Sequence, residues 1–149
     1  MDGIYGSNQT TRTTTMIRQD YFLRLLREFF EALQLVLRSK TDIRQKKDDL
    51  NRMYDEYVGD SIFYHTAPMD EIVTSFQRYE DDMRYQKMEM LAYLYSVEAM
   101  YSGCIDKAMM QERALWLFTY VNKNSKEFSL DRQKKIDELQ KELANIVKR

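Results

Sequence analysis

The residues best suited to catalysis are few in this chain. Among its 149 residues there is one histidine, His65, and one cysteine, Cys104. A thiol nucleophile needs a base within hydrogen-bond reach, and only His65 offers an imidazole for that role. Cys104 lies two predicted helices further along, and nothing in the sequence brings the two side chains together. We therefore interpret His65 as a surface-loop histidine and Cys104 as a packing residue; the alternative for Cys104 is a thiol activated at a helix N-terminus.

The common sequence motifs for binding a metal or a cofactor are also missing from this sequence. The acidic run at residues 80–82 lacks the spacing and loop glycine of an EF-hand. A carboxylate-bridged di-iron bundle needs Glu-x-x-His pairs on two helices, which a single histidine cannot supply. The sequence contains no phosphate loop, no dinucleotide fingerprint and no Gly-x-Ser-x-Gly elbow. It therefore predicts no cofactor, no metal and a non-catalytic protein, although paired surface carboxylates leave acid–base chemistry open.

Charge and hydropathy limit the partners. The net charge is −1, and the basic runs at residues 44–47 and 132–135 are each followed closely by acids on the same predicted helix. Nucleic-acid binding is therefore disfavoured, and a low-specificity RNA-associated protein ranks third among our hypotheses. No apolar run reaches the roughly 18 residues of a membrane helix. With one cysteine and no apolar segment in residues 1–15, we expect a cytoplasmic protein that does not bind membranes.

Chain breakers define the elements that would have to position any site. The chain has four glycines and one proline, and no strong breaker interrupts an apolar-periodic run. Gly59 and Gly103 each follow a helical pattern, where a left-handed C-terminal cap is expected, and Pro68 opens another. Residues 1–15 are polar and threonine-rich, so we predict a flexible N-terminal tail. Met16 is then a candidate start, and residues 16–149 are predicted to form a single helical domain.

Hydrophobic periodicity predicts an all-α fold of five or six helices, stacked as antiparallel hairpins. The predicted helices span residues 17–38, 43–58, 68–79, 83–102, 105–121 and 130–147, with a loop at residues 59–67 and a break near 80–82. Asp42 and Ser129 are predicted N-caps. The first helix carries apolar residues beyond one stripe: Tyr21, Leu23, Phe30 and Leu35. Such a helix is either central and packed on two sides or in contact with another chain.

Later helices show two further patterns. In the last helix, Ile136, Leu139, Leu143 and Ile146 form a narrow seam that either closes the fold or pairs with a second chain. Other apolar positions are predicted to mark packing faces. On the second helix these are Ile43, Leu50, Met53, Tyr54 and Tyr57. The fifth helix carries Ala108, Met109, Leu115, Trp116 and Tyr120.

The hairpin of the fourth and fifth predicted helices resembles a tetratricopeptide unit. The resemblance rests on a pattern of mostly small residues across two antiparallel helices, namely Ala92, Tyr95, Ser96, Ala99, Gly103 and Ala108. Glu112 stands where that family has a large apolar residue, and no proline closes the unit. The resemblance covers about 30 residues and implies stacked helical hairpins rather than peptide binding.

The start of the first helix carries a second resemblance. Met16-Ile17-Arg18-Gln19-Asp20-Tyr21 resembles the opening of a family of small, uncharacterised bacterial helical proteins. The resemblance implies a bacterial cytoplasmic protein with no known activity, and it favours Met16 as the start.

Aromatic and methionine content indicates how the chain could bind. Eleven tyrosines and ten methionines suit an adaptable binding surface or a leucine-poor core. Six residues are the candidate interaction surface: Tyr54, Tyr57, Tyr85, Tyr93, Tyr95 and Trp116. The sequence thus favours a non-catalytic adaptor or scaffold that binds another protein or itself, with a homodimer somewhat favoured over a monomer. The alternative is a small-molecule sensor with a Tyr/Met-lined pocket between the fourth and fifth helices.

Overall fold

The described part of the chain is entirely helical in the computed structural model, which describes the backbone of residues 2–147 and the side chains of residues 20–146. The α-helices are α1 Asp2–Arg38, α2 Ile43–Met53, α3 Ser61–Thr66, α4 Met69–Ser75, α5 Asp81–Ala99, α6 Cys104–Asn124 and α7 Leu130–Val147. A π-helical segment, Tyr54–Val58, extends α2, and a 3-10 turn, Phe76–Arg78, extends α4. The all-α prediction is confirmed.

Helix α1 buries one face against the rest of the fold. The buried residues recur at intervals of seven, four and three residues: Phe22, Phe29, Leu33 and Val36. The opposite face stays exposed in the described region, so the expected central helix covered on two sides is wrong. The predictions of a tail at residues 1–15 and a start at Met16 fall where the side chains lie outside the described residues, and they stay predictions.

A buried lysine ends α1. The Lys46 ammonium donates hydrogen bonds to the Val36 and Ser39 carbonyls, each at 2.8 Å, and to Ser39 Oγ at 3.1 Å. The carbonyls of the last helical turn have no partner within the helix, and a cation there also complements the helix dipole. Lys46 therefore joins α2 to α1, whereas the sequence suggested only a surface charge neutralised by its neighbours.

Replacing Lys46 with methionine should reduce stability while keeping the aliphatic stem. The Val36 and Ser39 carbonyls would lose their charged donor, which we expect to lower the free energy of unfolding by about 2 kcal/mol. Urea denaturation followed by circular dichroism measures the change. Lys47→Met, one position along the same helix, should change stability by less than about 0.5 kcal/mol. Equal losses in both variants would contradict the capping role.

The segment after α2 differs from the predicted loop. Residues 59–67 were expected to be irregular, but Ser61–Thr66 forms α3, with the Asp60 carboxylate accepting a hydrogen bond from the Ile62 N–H at 3.0 Å. A helix of this length is too short for periodicity to reveal. Gly59 ends the π-helical segment with φ 153° and ψ −161°, and its N–H donates to the Tyr54 carbonyl at 2.7 Å. Its backbone is glycine-specific, although it is not the predicted left-handed cap.

Gly59→Ala should destabilise the fold. The backbone there has φ 153°, and an added Cβ would lie 3.2 Å from Cε2 and 3.3 Å from the hydroxyl of the buried Tyr64. We expect a loss of about 1 to 3 kcal/mol, measured by urea denaturation. Gly103→Ser is the control, because nothing lies within 4 Å of a Cβ there and serine is favoured at the N-cap position that Gly103 occupies. A neutral Gly59→Ala would show that the backbone relaxes.

Helices α5 and α6 form the central hairpin. The predicted break before α5 is confirmed, because Tyr79 and Glu80 have extended backbone between the 3-10 turn and α5. Gly103 also has extended backbone and is the N-cap of α6, so its predicted left-handed C-cap is wrong. The residues of α6 that enter the core are Met110, Gln111, Ala114, Leu117, Phe118 and Val121. Met109 and Trp116 are exposed instead. Apolar residues of α6 occur on all sides of the helix, so their periodicity does not select one buried face.

Helix α7 closes the fold by packing on α6. Ile136 and Leu139 of the predicted seam are buried in the common core, which favours closure of the fold over pairing of this seam with a second chain. The Ser129 N-cap is confirmed by the Arg132 N–H, which donates to Ser129 Oγ at 3.2 Å. On α2 the predicted Asp42 cap is likewise confirmed at 2.8 Å, but Ile43, predicted inward, is exposed.

Candidate functional site

The exposed side of α1 carries four large apolar residues and adjoins a groove. Tyr21, Leu23, Phe30 and Leu35 are exposed by 60%, 58%, 40% and 70% of their surface. We call these four residues the α1 face. The helix is fixed behind them by the buried residues of its other side, so the face is presented by a rigid element. At about 3.6 residues per turn, Leu23 and Phe30 share one flank of this exposed side and Tyr21 and Leu35 share the other. Exposed apolar side chains of this size are typical of sites that contact other proteins.

A groove runs along the same side of α1. Its volume is about 670 Å³, and its lining comes from Arg27, Phe30, Glu31, Gln34, Leu35 and Arg38. Phe30 forms one wall and is held by an edge-to-face contact with Tyr93 of α5, with ring centroids 5.1 Å apart. Arg27, Glu31 and Arg38 lie between Phe30 and Leu35 around the helix, so charged side chains of both signs separate the two apolar residues.

Three of the six predicted interaction residues lie inside the core. Tyr54, Tyr57 and Tyr95 are each at most 5% exposed. Tyr57 packs edge-to-face on Phe29, with centroids 5.3 Å apart, and Tyr54 lies 6.0 Å from Tyr95. Burial raises the pKa of Tyr95 to about 12 and that of Tyr54 well above its ordinary value. These three rings consolidate the fold rather than present a surface.

The other three predicted residues lie at or near the surface. Tyr93 is half-buried between Phe30 and Phe118, at centroid distances of 5.1 and 4.9 Å. Trp116 is exposed and stacks on Tyr120 at 5.2 Å, and Tyr85 lies 6.5 Å from that same Tyr120 ring. The six residues are therefore not brought together. Tyr93 is the member that reaches the α1 face, through Phe30.

A polar cluster that the sequence analysis missed surrounds His65. His65 lies on α3, and its Nε2 is 2.8 and 2.9 Å from the two carboxylate oxygens of Glu98 on α5. Its Nδ1 is 2.6 Å from the Ser61 carbonyl. Glu98 is buried, with 4% of its surface exposed. The expectation of a surface-loop histidine is therefore wrong.

The two contacts of the imidazole define its protonation. A backbone carbonyl and an ionised carboxylate only accept hydrogen bonds, so with Glu98 ionised both ring nitrogens carry protons and the ring is an imidazolium. The hydrogen bond to Glu98 raises the pKa of His65 above its ordinary value, against the opposing effect of burial. Neither ring nitrogen is available as a base, so this arrangement cannot activate a nucleophile.

Cys104, expected to be a packing residue, is exposed instead.

An arginine completes the same cluster. Arg113 of α6 donates to the Tyr64 carbonyl at 3.1 Å and to the Ala67 carbonyl at 2.8 Å, and the Tyr95 hydroxyl also donates to the Tyr64 carbonyl. The end of α3 is thereby tied to α5 and α6. The Tyr54 ring, in the π-helical segment, lies 4.7 Å from the His65 ring. We interpret this cluster as the set of contacts that holds the short helix α3 against α5 and α6.

A second groove lies between α5, α6 and α7. It has a volume of about 620 Å³ and is lined by Ser96, Met100, Lys107, Gln111, Lys135, Glu138, Leu139, Glu142, Asn145 and Ile146. In the described part of the chain, Gln111 Nε2 donates to Glu142, whereas the buried Gln111 Oε1 has no hydrogen-bond partner. The groove has one methionine and no aromatic lining, so it is not the predicted Tyr/Met pocket.

Comparison with protein-family models, with curated proteins and with solved structures returns no match. Both resemblances drawn from the sequence, to a tetratricopeptide unit and to a bacterial helical family, therefore stay predictions. In the described residues, no helix is long and apolar enough to cross a membrane. The same residues hold no group of three or more histidine, cysteine or acidic side chains placed to bind a metal ion.

Proposed function

We propose that this chain is a non-catalytic adaptor or scaffold that acts by binding protein through the α1 face. The observation that supports the proposal is the exposure of Leu23, Phe30 and Leu35 beside a groove of about 670 Å³ on a rigid helix. Burying these side chains against a partner would be favourable, and the bordering charges would orient it.

Two further features fit the proposal. Ala92 and Ala99 are buried on α5, as close approach of two helices in a tetratricopeptide-like stack requires. The exposed thiol of Cys104 is compatible with the reducing cytoplasm of a bacterium. The stack, the compartment and the bacterial origin all belong to the proposal.

A surface-matched capture experiment tests the proposal. The full chain is immobilised as wild type, as Leu35→Glu and as Ile105→Glu, and exposed to lysate with and without nuclease. Leu35 and Ile105 are both exposed, by 70% and 87%, but lie on α1 and α6. We expect a stoichiometric protein, or the chain itself, on wild type and Ile105→Glu but not on Leu35→Glu. Loss of capture after nuclease treatment would place RNA first, and capture unaffected by Leu35→Glu would place the binding surface elsewhere.

A small-molecule sensor is the second candidate, favoured by the groove between α5, α6 and α7. Its floor contains the unpartnered Gln111 Oε1, which could accept a hydrogen bond from a ligand. A fluorine NMR screen of polar fragments against the full chain tests this candidate. Fragment binding that is detected in the fragment's fluorine signal and that Gln111→Leu abolishes would support a sensor. Hits scattered over the surface would count against it.

A further inference from the structure

The exposed side of α1 has a charge pattern that is complementary to itself. Asp20, Arg27, Glu31 and Arg38 are all exposed and alternate in sign along the helix. Arg27 and Glu31 lie equally far on either side of position 29, and so do Asp20 and Arg38. Asp20 and Arg38 also share one side of the helix, because the residues between them make up five complete turns at about 3.6 residues per turn.

We propose that this side of α1 pairs with α1 of a second copy, antiparallel, with a two-fold axis at the level of Phe29. In such a pair, residues equidistant from the axis meet at the same level. Arg27 then faces Glu31 of the partner subunit, and Asp20 faces Arg38 of the partner subunit. The inference rests on the proposed function and commits it to one occupant, a second copy of this chain.

The remaining residues of the α1 side fit the same axis. Leu23 and Leu35 lie on opposite flanks, because twelve residues make about 120° around the helix. On one flank Phe30 comes close to the partner's Phe30, and on the other Leu35 comes close to the partner's Tyr21. Phe30, Leu35 and Tyr21 are exposed in the single chain by 40%, 70% and 60%. The other exposed charges, Arg24 and Glu28, come level with the partner's Gln34 and the partner's Phe30. Among the described residues of this side, no charge comes level with a like charge of the partner.

A parallel arrangement in register is disfavoured by the same charges. In a parallel pair in register, every charge meets its own copy, so Arg27 would face the partner's Arg27 and Glu31 the partner's Glu31. Like charges across an interface are unfavourable and suppress wrong pairings. The antiparallel pair converts these contacts into opposite-charge pairs. Burial of the α1 face supplies the attraction, while the charges select the orientation.

Sedimentation of the full chain tests for the second copy. The mass of wild type should rise with protein concentration toward twice the 18.0 kDa of a single chain. Leu35→Glu should weaken the dimer at least about tenfold, because it places a carboxylate in the apolar contact. Ile105→Glu, on α6, should dimerise as wild type does. A wild type that stays monomeric throughout would overturn the inference, and so would a dimer that Leu35→Glu leaves unchanged.

Charge exchange tests the orientation. Arg27→Glu alone creates acid-against-acid contacts twice per dimer, and Glu31→Arg alone creates base-against-base contacts twice. Each should raise the dissociation constant about tenfold. The double variant R27E/E31R restores opposite charges and should return to the wild-type dissociation constant. In a parallel pair both single variants would only replace one like-charge contact with another, so single variants that bind like wild type would overturn the antiparallel arrangement.

Failure of this inference can be told apart from failure of the proposed function. If wild type is monomeric but captures a protein from lysate that Leu35→Glu loses, the second copy is rejected while the α1 face remains a binding surface. If wild type is monomeric and captures nothing, both are rejected. Two results together support both proposals: Leu35→Glu weakens the dimer, and R27E/E31R restores the affinity that the single charge variants lose.

Discussion

Replacing His65 with glutamine is expected to lower the free energy of unfolding by about 3 kcal/mol at pH 6. The variant leaves the Glu98 carboxylate 4% exposed without the imidazolium that contacts both of its oxygens. A buried charge deprived of its partner costs more than the pair itself contributes. Urea denaturation of wild type and variant at pH 6 measures the loss.

The Glu98→Gln variant separates the buried charge from the hydrogen bond. An amide of the same shape can donate to Nε2 of a neutral imidazole, whose Nδ1–H still reaches the Ser61 carbonyl. We therefore expect Glu98→Gln to lose less stability than His65→Gln, and the double variant H65Q/E98Q to recover part of the His65→Gln loss. If the double variant lost the sum of the two single losses, the side chains would not act as a pair.

The same pair makes stability depend on pH. The pKa of His65 is raised above 6.5 in the folded chain by the hydrogen bond to Glu98, so the folded state binds this proton more tightly than the unfolded state. Its stabilisation is fully present below pH 6.5 and is lost as the pH rises through the raised value. Wild type should therefore lose stability as the pH rises above 6.5, and Glu98→Gln should lose less.

A single histidine allows a direct check. The chain has one imidazole, so its proton NMR resonance is assigned without ambiguity. The neighbouring groups that act on it are Glu98, which raises its pKa, and Arg113, which lowers it. The resonance should titrate above pH 6.5 in wild type and at lower pH in Glu98→Gln. Equal midpoints in the two proteins would contradict the ion pair.

Local chemistry explains which parts of the fold could be predicted. The Asp42 and Ser129 caps are correct because a cap depends on a few neighbouring residues. On α5, Leu91 and Leu94 lie at helical spacing and are both buried, so periodicity identifies part of its core face. Helix α3 was missed because a helix as short as Ser61–Thr66 has no period, and its stability comes from Glu98 and residues of α6 that are distant in sequence.

The buried charged residues did leave a signal in the sequence. Lys46 precedes Leu50 and Met53 by four and seven positions, and Arg132 precedes Ile136 and Leu139 by the same intervals. Glu98 similarly follows Leu91 by seven positions on α5. A charge at a core position of a helical stripe must find a buried partner. Spacing thus identifies these residues as buried, whereas the identity of each partner depends on how the helices pack.

The predicted interaction surface failed for a related reason. Tyrosine is compatible with a core or a surface, because its ring is apolar and its hydroxyl polar. Tyr54 and Tyr95 were therefore grouped with Trp116, although the structure buries the first two and exposes the third. The α1 face could be anticipated from the sequence, because Leu23, Phe30 and Leu35 are apolar residues that lie outside the single apolar stripe of the first helix. Excess apolar surface on a helix was a better guide to exposure than residue type.

Removing Arg132 should give the other large loss, because this cation fastens α7. Arg132 is 3% exposed, and it contacts Glu89 of α5 at 3.5 Å, the Asn122 side chain of α6 at 3.1 Å and the Glu127 carbonyl at 2.6 Å. Arg132→Met leaves all three acceptors without their donor and Glu89 without a cation. We expect a loss of about 3 kcal/mol at pH 7 by urea denaturation. Lys134→Met, exposed on the same helix, should change stability by less than about 0.5 kcal/mol.

The pH dependence of that loss identifies Glu89 as the partner. Burial already raises the pKa of Glu89, while Arg132 lowers it, so without Arg132 the carboxyl should take up a proton more readily. A raised folded pKa gives stability that is present at low pH and is lost as the pH rises through that value. The Arg132→Met loss should therefore shrink between pH 7 and pH 5, and R132M/E89Q should recover part of it at pH 7. A loss equal at both pH values would mean that the cost comes from the Asn122 and Glu127 acceptors, and α7 would then be fastened by neutral hydrogen bonds rather than by charge.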